Sequence, residues 1–167
     1  LVTVVMSDTS SGYASATSMD LDRIDPEALG RVAVDKALRS RNPQSLEPGL
    51  YTVVLEPEAV ASMVLALGYT GLGALAVQEG RSFMNNRFGE RITGPNITLW
   101  DDGLDPAGLV MPIDYEGVPK RPVRLIENGI ARAVVYDSFT AGRAPGKSST
   151  GHSLPAPNTI GPLPWNL

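Results

Sequence analysis

Residue types that commonly carry out chemistry in enzymes are scarce in this sequence of 167 residues. It contains no cysteine and a single histidine, His152. Without cysteine these residues can form no disulfide, no thiolate metal site and no cysteine nucleophile. The helix of a zinc hydrolase needs two histidines about one turn apart, which one histidine cannot supply. Because His152 lies in a segment rich in Gly and Pro, we predict that it is a solvated loop residue and not a ligand.

Residues 141–148 come closest to a known catalytic motif, because they fit the looser pattern of a phosphate-binding loop. A working loop needs successive backbone amides around the phosphates and a helix that begins at its Lys-Ser pair. Here Pro145 has no amide hydrogen, and the residues after Ser148 are poor helix formers. Nucleotide binding through Gly146-Lys147-Ser148 is therefore only an alternative, and loss of binding in Lys147→Ala would favour it.

Acidic side chains gather in a turn-rich part of the sequence, where a calcium site could be imagined. They are Asp101, Asp102, Asp105, Asp114 and Glu116. Their spacing differs from that of an EF-hand loop, and Asp is a common turn former, so we predict turns. A Ser-His-Asp triad can be drawn around His152, but the sequence has no GxSxG elbow. Gly71-Leu72-Gly73 lacks the third glycine of a dinucleotide fingerprint. The residues alone thus show no catalytic constellation.

The elements that would position these residues form an α+β pattern. Residues 123–136 are two apolar runs joined by Asn128-Gly129, a dipeptide typical of a type I′ hairpin turn. The returning run has no polar break, so we predict a strand that is covered on both faces. The predicted cross-strand pairs are Glu127 with Ile130, Leu125 with Arg132, and Val123 with Val134.

Other segments add a second hairpin, two to three helices and further strands. Asp25-Pro26-Glu27 is a typical helix start, because Asp caps free amides and Pro is tolerated in the first turn. The predicted strands are residues 1–6, 13–19, 50–55 and 97–100, and the predicted helices are residues 26–40, 59–67 and 71–81, with a short one at 137–141. The helix over 59–67 is apolar all round, so we expect it to be buried on most sides and to stop at Gly68.

The composition is that of a globular protein, with 43% hydrophobic and 19% charged residues. The sequence shows neither a signal peptide nor a run of about 18 apolar residues, which predicts a soluble, cytoplasmic protein. A net charge of -4 argues against a nucleic-acid-binding surface, which needs clustered Lys and Arg. The length suits about one domain. Because it starts at Leu1 and not at methionine, we expect it to be part of a longer protein.

A series of short motifs resembles the TldD/PmbA family, whose older name is modulator of DNA gyrase. That family shows a D-x-E-G-V stretch, a "lie(n/d)Gvl" hairpin, a "y.d...A" segment and an "sTGn" element, in this order and at about these intervals. The matching segments here are residues 112–119, 125–130, 136–141 and 149–151. Residues 20–22 and 53–60 also resemble the family. One departure is His152, where the family usually has Asn.

The resemblance implies a fragment of a two-domain α+β protein with mixed or antiparallel sheets. Residues 1–141 would form a core from its middle portion, and residues 142–167 a Gly/Pro-rich tail or loop that leads to a C-terminal part. The resemblance also implies two kinds of subunit. The TldD kind carries HExxxH on the stretch corresponding to about residues 69–81, binds zinc and hydrolyses peptides. The PmbA kind, also called TldE, lacks these ligands and pairs with TldD in a heterodimeric peptidase.

Residues 69–81 contain no histidine, so the chain resembles the PmbA kind, with no catalytic residue, metal or cofactor site of its own. The expected partner is a TldD-like zinc-binding subunit or a second copy, and the peptide substrate would be shared with that partner. An alternative is a regulatory protein that acts on DNA gyrase or its inhibitors. The small residues of the stretch 71–80 are also explained by close packing of helices. A substrate-chamber wall or an interface is predicted at Gly71, Gly73, Gly80, Asp114, Glu116 and Gly117.

Overall fold

The computed structural model describes residues 1–156 and 158–167. The chain forms two compact units, Leu1–Glu58 and Ala59–Leu167. Residues 142–156 and 158–167 belong to the second unit, and the predicted boundary at residue 141 stays a prediction. In the part of the chain that is described, no helix is long and apolar enough to cross a membrane.

The first unit is an antiparallel hairpin with one long helix. Strands β1 (Val2–Met6) and β2 (Ser11–Ser15) pair with Val4 opposite Tyr13, so the second strand begins earlier than the predicted residue 13. Helix α1 (Pro26–Arg39) starts as predicted, because the Asp25 carboxylate accepts hydrogen bonds from Glu27 N at 3.0 Å and Ala28 N at 2.9 Å. The buried residues of α1 are Ala33 and Ala37, and β2 has a glycine, Gly12, where a side chain would collide with them.

The strand predicted at residues 50–55 is wrong. These residues are irregular, and both Leu50 and Val54 are almost completely exposed. A β-branched, apolar run becomes a strand only when another backbone pairs with it, and no other segment within residues 1–156 and 158–167 does so.

The second unit begins with helices α2 (Pro57–Gly71) and α3 (Ala74–Gln78). Helix α2 does not stop at Gly68, and among its residues only Gly68 and Gly71 are buried. The prediction of a helix buried on most sides is therefore wrong for the described residues, because little of the described chain packs against its apolar surface. Helix α3 is short and tightly packed, with Ala74 and Ala76 buried.

A three-stranded antiparallel sheet forms the centre of the second unit, in the order β3 (Leu99–Asp101), β4 (Val123–Glu127), β5 (Ile130–Ala131). The predicted turn is confirmed, with φ of 49° at Asn128 and 80° at Gly129 and with Glu127 opposite Ile130. The predicted pairing of Val123 with Val134 is wrong. The amides of residues 132 and 133 both reach Leu125 O, at 2.8 and 3.4 Å, so the regular register ends there, and β5 pairs with β4 only through Ile130 and Ala131. On its other edge β4 pairs with β3, with Val123 opposite Asp101.

The core of the second unit lies around this sheet. It includes Leu72, Met84, Leu125, Ile126 and Val135, all of them completely or almost completely buried. The backbone of residue 135 also bridges to Gly73 in parallel, which joins the returning chain to the start of α3. The burial of residues 134 and 135 agrees with the prediction that the returning run is covered. The fold class is α+β, as predicted.

Candidate functional site

The Gly/Pro-rich tail is held by a buried polar cluster, which we define as Asp101, Asp114, Lys120 and His152. His152 is completely buried, which corrects the prediction of a solvated residue. Its Nε2 lies 2.7 Å from Asp101 Oδ1, and its Nδ1 lies 2.9 Å from Thr150 Oγ1. A buried imidazole must satisfy both ring nitrogens, and the carboxylate and the hydroxyl do so here.

Asp101 ends strand β3 and holds the end of the described chain. Its Oδ2 accepts hydrogen bonds from Trp165 N at 2.7 Å and Asn166 N at 2.8 Å, while its Oδ1 bonds to His152. Burial alone would raise the pKa of this carboxyl. The His152 hydrogen bond and charge, the backbone bond from Asn166 and the charge of Lys120 outweigh burial, so the pKa lies below its usual 3.8.

Asp114 anchors a tight loop, as predicted for a turn-forming Asp. Its Oδ1 accepts hydrogen bonds from Glu116 N at 3.0 Å and Val118 N at 2.9 Å. Its Oδ2 accepts one from Ser153 N at 2.9 Å, so the same carboxylate fixes the loop and the tail. Gly117 has a φ of 78°, which glycine adopts without strain.

Glu116 and Gly151 connect this loop to its neighbours. Glu116 Oε2 accepts a hydrogen bond from Ser138 N at 3.0 Å, at the start of helix α4 (Ser138–Gly142). Gly151 has a φ of 77°, and a Cβ there would lie 2.6 Å from Pro119 O. The tail therefore approaches the backbone of residues 119 and 120 as closely as only glycine allows.

Lys120 is the unusual member of the cluster. Its side chain is 5% exposed, and its Nζ has no hydrogen-bond partner among residues 1–156 and 158–167. Burial lowers the pKa of this ammonium below 10.5, although the charges of Asp101 and Asp114 act in the opposite direction. The cost of removing the ammonium from water thus exceeds the attraction of the two carboxylates.

The side chains of Thr150, His152 and Asp101 form a series of hydrogen bonds that resembles a catalytic triad, but they cannot act as one in this conformation. The imidazole has no exposed surface, and each of its nitrogens is already engaged within the chain. Thr150 Oγ1 also accepts a hydrogen bond from Tyr136 N at 2.8 Å. A nucleophile must contact its substrate, so this chain of bonds fastens the tail and does not perform acyl transfer.

The predicted glycines lie around helix α3. Ser82 Oγ donates a hydrogen bond to Gly71 O at 2.7 Å, and a Cβ at Gly71 would lie 2.5 Å from the Phe83 ring. Gly73 lies directly against the tail carbonyl of Pro162. Gly80, with a φ of 75°, is exposed and has open space beside it. Gly71 and Gly73 therefore serve close packing, whereas the described residues leave the space beside Gly80 open.

The two predicted groups of chamber residues are linked through α4. Gln78, at the end of α3, donates from Nε2 to Thr140 O in α4 at 2.7 Å, and Glu116 binds the first amide of the same helix. The Oε1 of Gln78 is buried, with no hydrogen-bond partner in the described part of the chain. Helix α4 thus contacts both the loop and α3.

The alternative phosphate loop is not formed. No helix begins at Lys147-Ser148, since residues 147–150 are irregular, and Lys147 is exposed. Ser148 Oγ is instead held by Arg121 Nη2 at 2.9 Å. The described residues also contain no group of three or more His, Asp or Glu side chains that could hold a metal ion.

Sequence reasoning missed the roles of Asp101, Lys120 and His152. The turn prediction is confirmed for Asp102, whose carboxylate accepts from Leu104 N at 3.0 Å, and for Asp105, but Asp101 instead binds groups more than 50 residues away. Only weak sequence signals point to the pairing of Asp101 with His152. Asp101 is an acidic residue at the end of an apolar strand, and His152 is a lone histidine in a tail that is otherwise poor in charge.

Comparison with known proteins identifies the class of this fold. A solved structure from Thermotoga maritima, named as a proposed modulator of a DNA gyrase, covers 96% of this chain with a TM-score of 0.83 at 23% identity; the chain covers 37% of that protein. TldE from Thermococcus kodakarensis covers 98% with a TM-score of 0.72 at 24% identity, and 37% of its length is matched. The fold is therefore that of TldD/TldE-type proteins.

The sequence comparison identifies the family. Residues 48–167 match the family described as "PmbA/TldA metallopeptidase C-terminal domain". An uncharacterised protein of Methanocaldococcus jannaschii is 34% identical over 154 residues, which are 89% of this chain and 35% of the relative. The chain thus belongs to the PmbA/TldD metallopeptidase family and spans about a third of the length of this relative.

Proposed function

We propose that this chain is a PmbA/TldE-like part of a TldD/TldE-type peptidase complex, in which another subunit supplies the zinc. The proposal rests on the residue types in α3 and in the segment that follows it. The family resemblance expects HExxxH on the stretch 69–81, and this stretch has no histidine. The side-chain amide of Gln78 is bound to Thr140 O, and the single histidine is buried against Asp101.

The family membership supports a role in proteolysis, and the likeness to a structure named TldE supports the non-catalytic kind of subunit. The chain would contribute a wall of a shared substrate chamber. Of the predicted wall residues, Gly80 and Gly117 suit this role best, because both are exposed and, among the described residues, no atom lies within 4 Å of the position of a Cβ at either glycine.

The test is reconstitution with a TldD-like subunit that carries HExxxH. We expect peptide hydrolysis from the pair and none from this chain alone. Gly80→Asn and Gly117→Asn add a side chain that tolerates positive φ, and they should lower turnover by the pair. Gly146→Asn is the matched control, since Gly146 has a φ of 73° and equally open surroundings. Stoichiometric zinc with hydrolysis by this chain alone would overturn the proposal.

The name of the Thermotoga maritima neighbour supports a second candidate, a regulator of DNA gyrase or its inhibitors. The net charge of -4 provides little attraction to DNA phosphates, so such a regulator would act through protein contacts. Purification of the protein with its cellular partners separates the two functions. A partner with HExxxH supports the peptidase complex, and gyrase or a gyrase inhibitor supports regulation.

A further inference from the structure

The hairpin turn Asn128-Gly129 is a place where the chain can react with itself. It is the only Asn-Gly dipeptide in the sequence. A backbone amide nitrogen can attack the side-chain amide carbon of the asparagine before it, and glycine hinders this attack least because it has no Cβ. Asn128 is exposed to water, whereas Gly129, which carries the attacking nitrogen, is buried. The two reacting groups therefore lie in different environments.

The backbone of the turn is bonded to one neighbouring stretch, residues 91–98, which we call the cover segment. Asn128 N donates a hydrogen bond to Thr98 Oγ1 at 3.1 Å. Asn128 O accepts one from Arg91 Nη1 at 2.9 Å. The two ends of the cover segment thus hold the amide and the carbonyl of the asparagine, while its side chain faces water.

Gly129 is bonded to the middle of the cover segment. Its N donates to Ile97 O at 2.8 Å, and its O accepts from Ile92 N at 2.8 Å and Thr93 N at 3.2 Å. A Cβ at this position would lie 2.5 Å from Thr93 O and 2.6 Å from Gly94 O, so the backbone is packed directly against the segment. An attack requires Gly129 N to lose its proton and to move towards the asparagine side chain. Both changes break the bond to Ile97 O.

We propose that Asn128 is a deamidation site that the cover segment blocks in the closed fold, and that local opening of this segment starts the reaction. In the open state Gly129 N gives up its proton and bonds to Asn128 Cγ, while the side-chain NH2 takes up a proton and leaves as ammonia. Water then opens the resulting succinimide ring at one of its two carbonyls. The products are aspartate or isoaspartate at position 128. This site is independent of the proposed peptidase pairing.

The cover segment is suited to local opening, and the reaction would make the opening permanent. Residues 92–98 are irregular, and residues 94–98 are all exposed. Segments with few buried contacts open at a lower free energy than the core around them. Aspartate tolerates the positive φ of position 128. Isoaspartate instead adds a carbon to the main chain, so the bonds between the turn and the cover segment can no longer all form.

Peptide mass spectrometry of the full chain, incubated in mildly alkaline buffer, tests the site. We expect deamidation at Asn128 to be at least about tenfold slower in the native chain than in the same chain held unfolded in guanidinium chloride. Asn128→Gln is the control for the site, because its longer side chain would have to form a less favourable six-membered ring. It should remove the fast reaction from the unfolded chain. Equal rates in the native and unfolded chains would overturn the proposal.

Variants of the cover segment test whether its opening controls the rate. Thr98→Val removes the acceptor of Asn128 N at an exposed position, and it should speed deamidation of the native chain about two- to tenfold. Thr93→Val is the matched control, since it removes a hydroxyl from the same segment that donates to Gly94 O at 3.4 Å and not to the turn. We expect its rate to equal that of the native chain. Equal acceleration in both variants would contradict the proposal.

Two further measurements distinguish local opening from unfolding of the whole unit. Gly73→Ala destabilises the unit through a contact outside the turn, because its Cβ would collide with Pro162 O, and it should leave the rate unchanged. Hydrogen exchange at Gly129 N should quicken in Thr98→Val by the same factor as deamidation, because both reactions need the same opening. Faster deamidation in Gly73→Ala than in Thr98→Val, or an unprotected Gly129 amide in the native chain, would overturn the proposal.

Discussion

Asp101→Ala is the perturbation that most directly tests how the tail is held. The carboxylate accepts three hydrogen bonds, from His152 Nε2 and Trp165 N at 2.7 Å and from Asn166 N at 2.8 Å. Alanine leaves all three donors without their acceptor in a buried site. Hydrogen bonds to a charged group contribute about 1.5–3 kcal/mol each but are not additive, and loss of one partner of a buried pair costs about 3–5 kcal/mol. We expect the free energy of unfolding of the second unit to fall by about 3–5 kcal/mol.

Urea unfolding followed by tryptophan fluorescence measures this loss, because Trp100 and Trp165 both flank Asp101 in sequence or by contact. With a slope of roughly 1.3 kcal/mol per M, the midpoint should fall by about 2–4 M. Asp105→Ala is the matched control, since its carboxylate accepts a hydrogen bond from Ala107 N at an exposed turn and from no other group in the described part of the chain, and it should cost about 1 kcal/mol or less. Equal losses in the two variants would refute the reasoning that Asp101 fastens the tail.

Three further predictions concern the same unit. Lys120→Met should raise the free energy of unfolding by about 1 kcal/mol at neutral pH, because it removes a buried ammonium that has no hydrogen-bond partner among the described residues. The stability difference between Lys120→Met and the native chain should shrink as pH rises towards 10.5, because folding lowers the pKa of Lys120 and the folded native chain then loses this charge first. The stability of the native chain relative to Asp101→Asn should be fully present above about pH 3.8 and decline as pH falls below it, because the pKa of Asp101 is lowered by folding; a constant difference down to about pH 2 would contradict this. Gly73→Ala should cost about 1–3 kcal/mol in the same urea assay, because its Cβ collides with Pro162 O. Gly142→Ala should cost much less, because no atom of residues 1–156 and 158–167 lies within 4 Å of a Cβ at Gly142.

Local signals in the sequence were reliable where the structure depends on neighbouring residues. The Asn128-Gly129 turn forms because both residues accept positive φ, and the start of α1 forms because Asp25 caps amides two and three residues ahead. The short helix after Tyr136 is also confirmed as α4, where Asp137 and Thr140 form a reciprocal cap. Each of these features is decided within a few residues.

The failures came from contacts between distant residues. Residues 50–55 have strand-like composition, but a strand also requires a partner that composition does not specify. The predicted pairing of Val123 with Val134 does not form, because the amides of residues 132 and 133 both bond to Leu125 O and the returning chain leaves the hairpin register there. The six proposed chamber or interface residues stay a prediction, although the structure shows that Gly71 and Gly73 are packed and Gly80 is open.

The sequence by itself determined the α+β pattern, the hairpin turn, the helix caps and, through its motif series, the family. It also established the absence of an HExxxH motif from these 167 residues, because one histidine cannot supply two. Only the tertiary structure decided that His152 is buried against Asp101, 51 residues away, and that Lys120 is enclosed near two carboxylates. The physical reason is that burial and hydrogen-bond partners depend on which distant segments pack together. The cost of burying a charge is set by the groups that surround it in the folded chain.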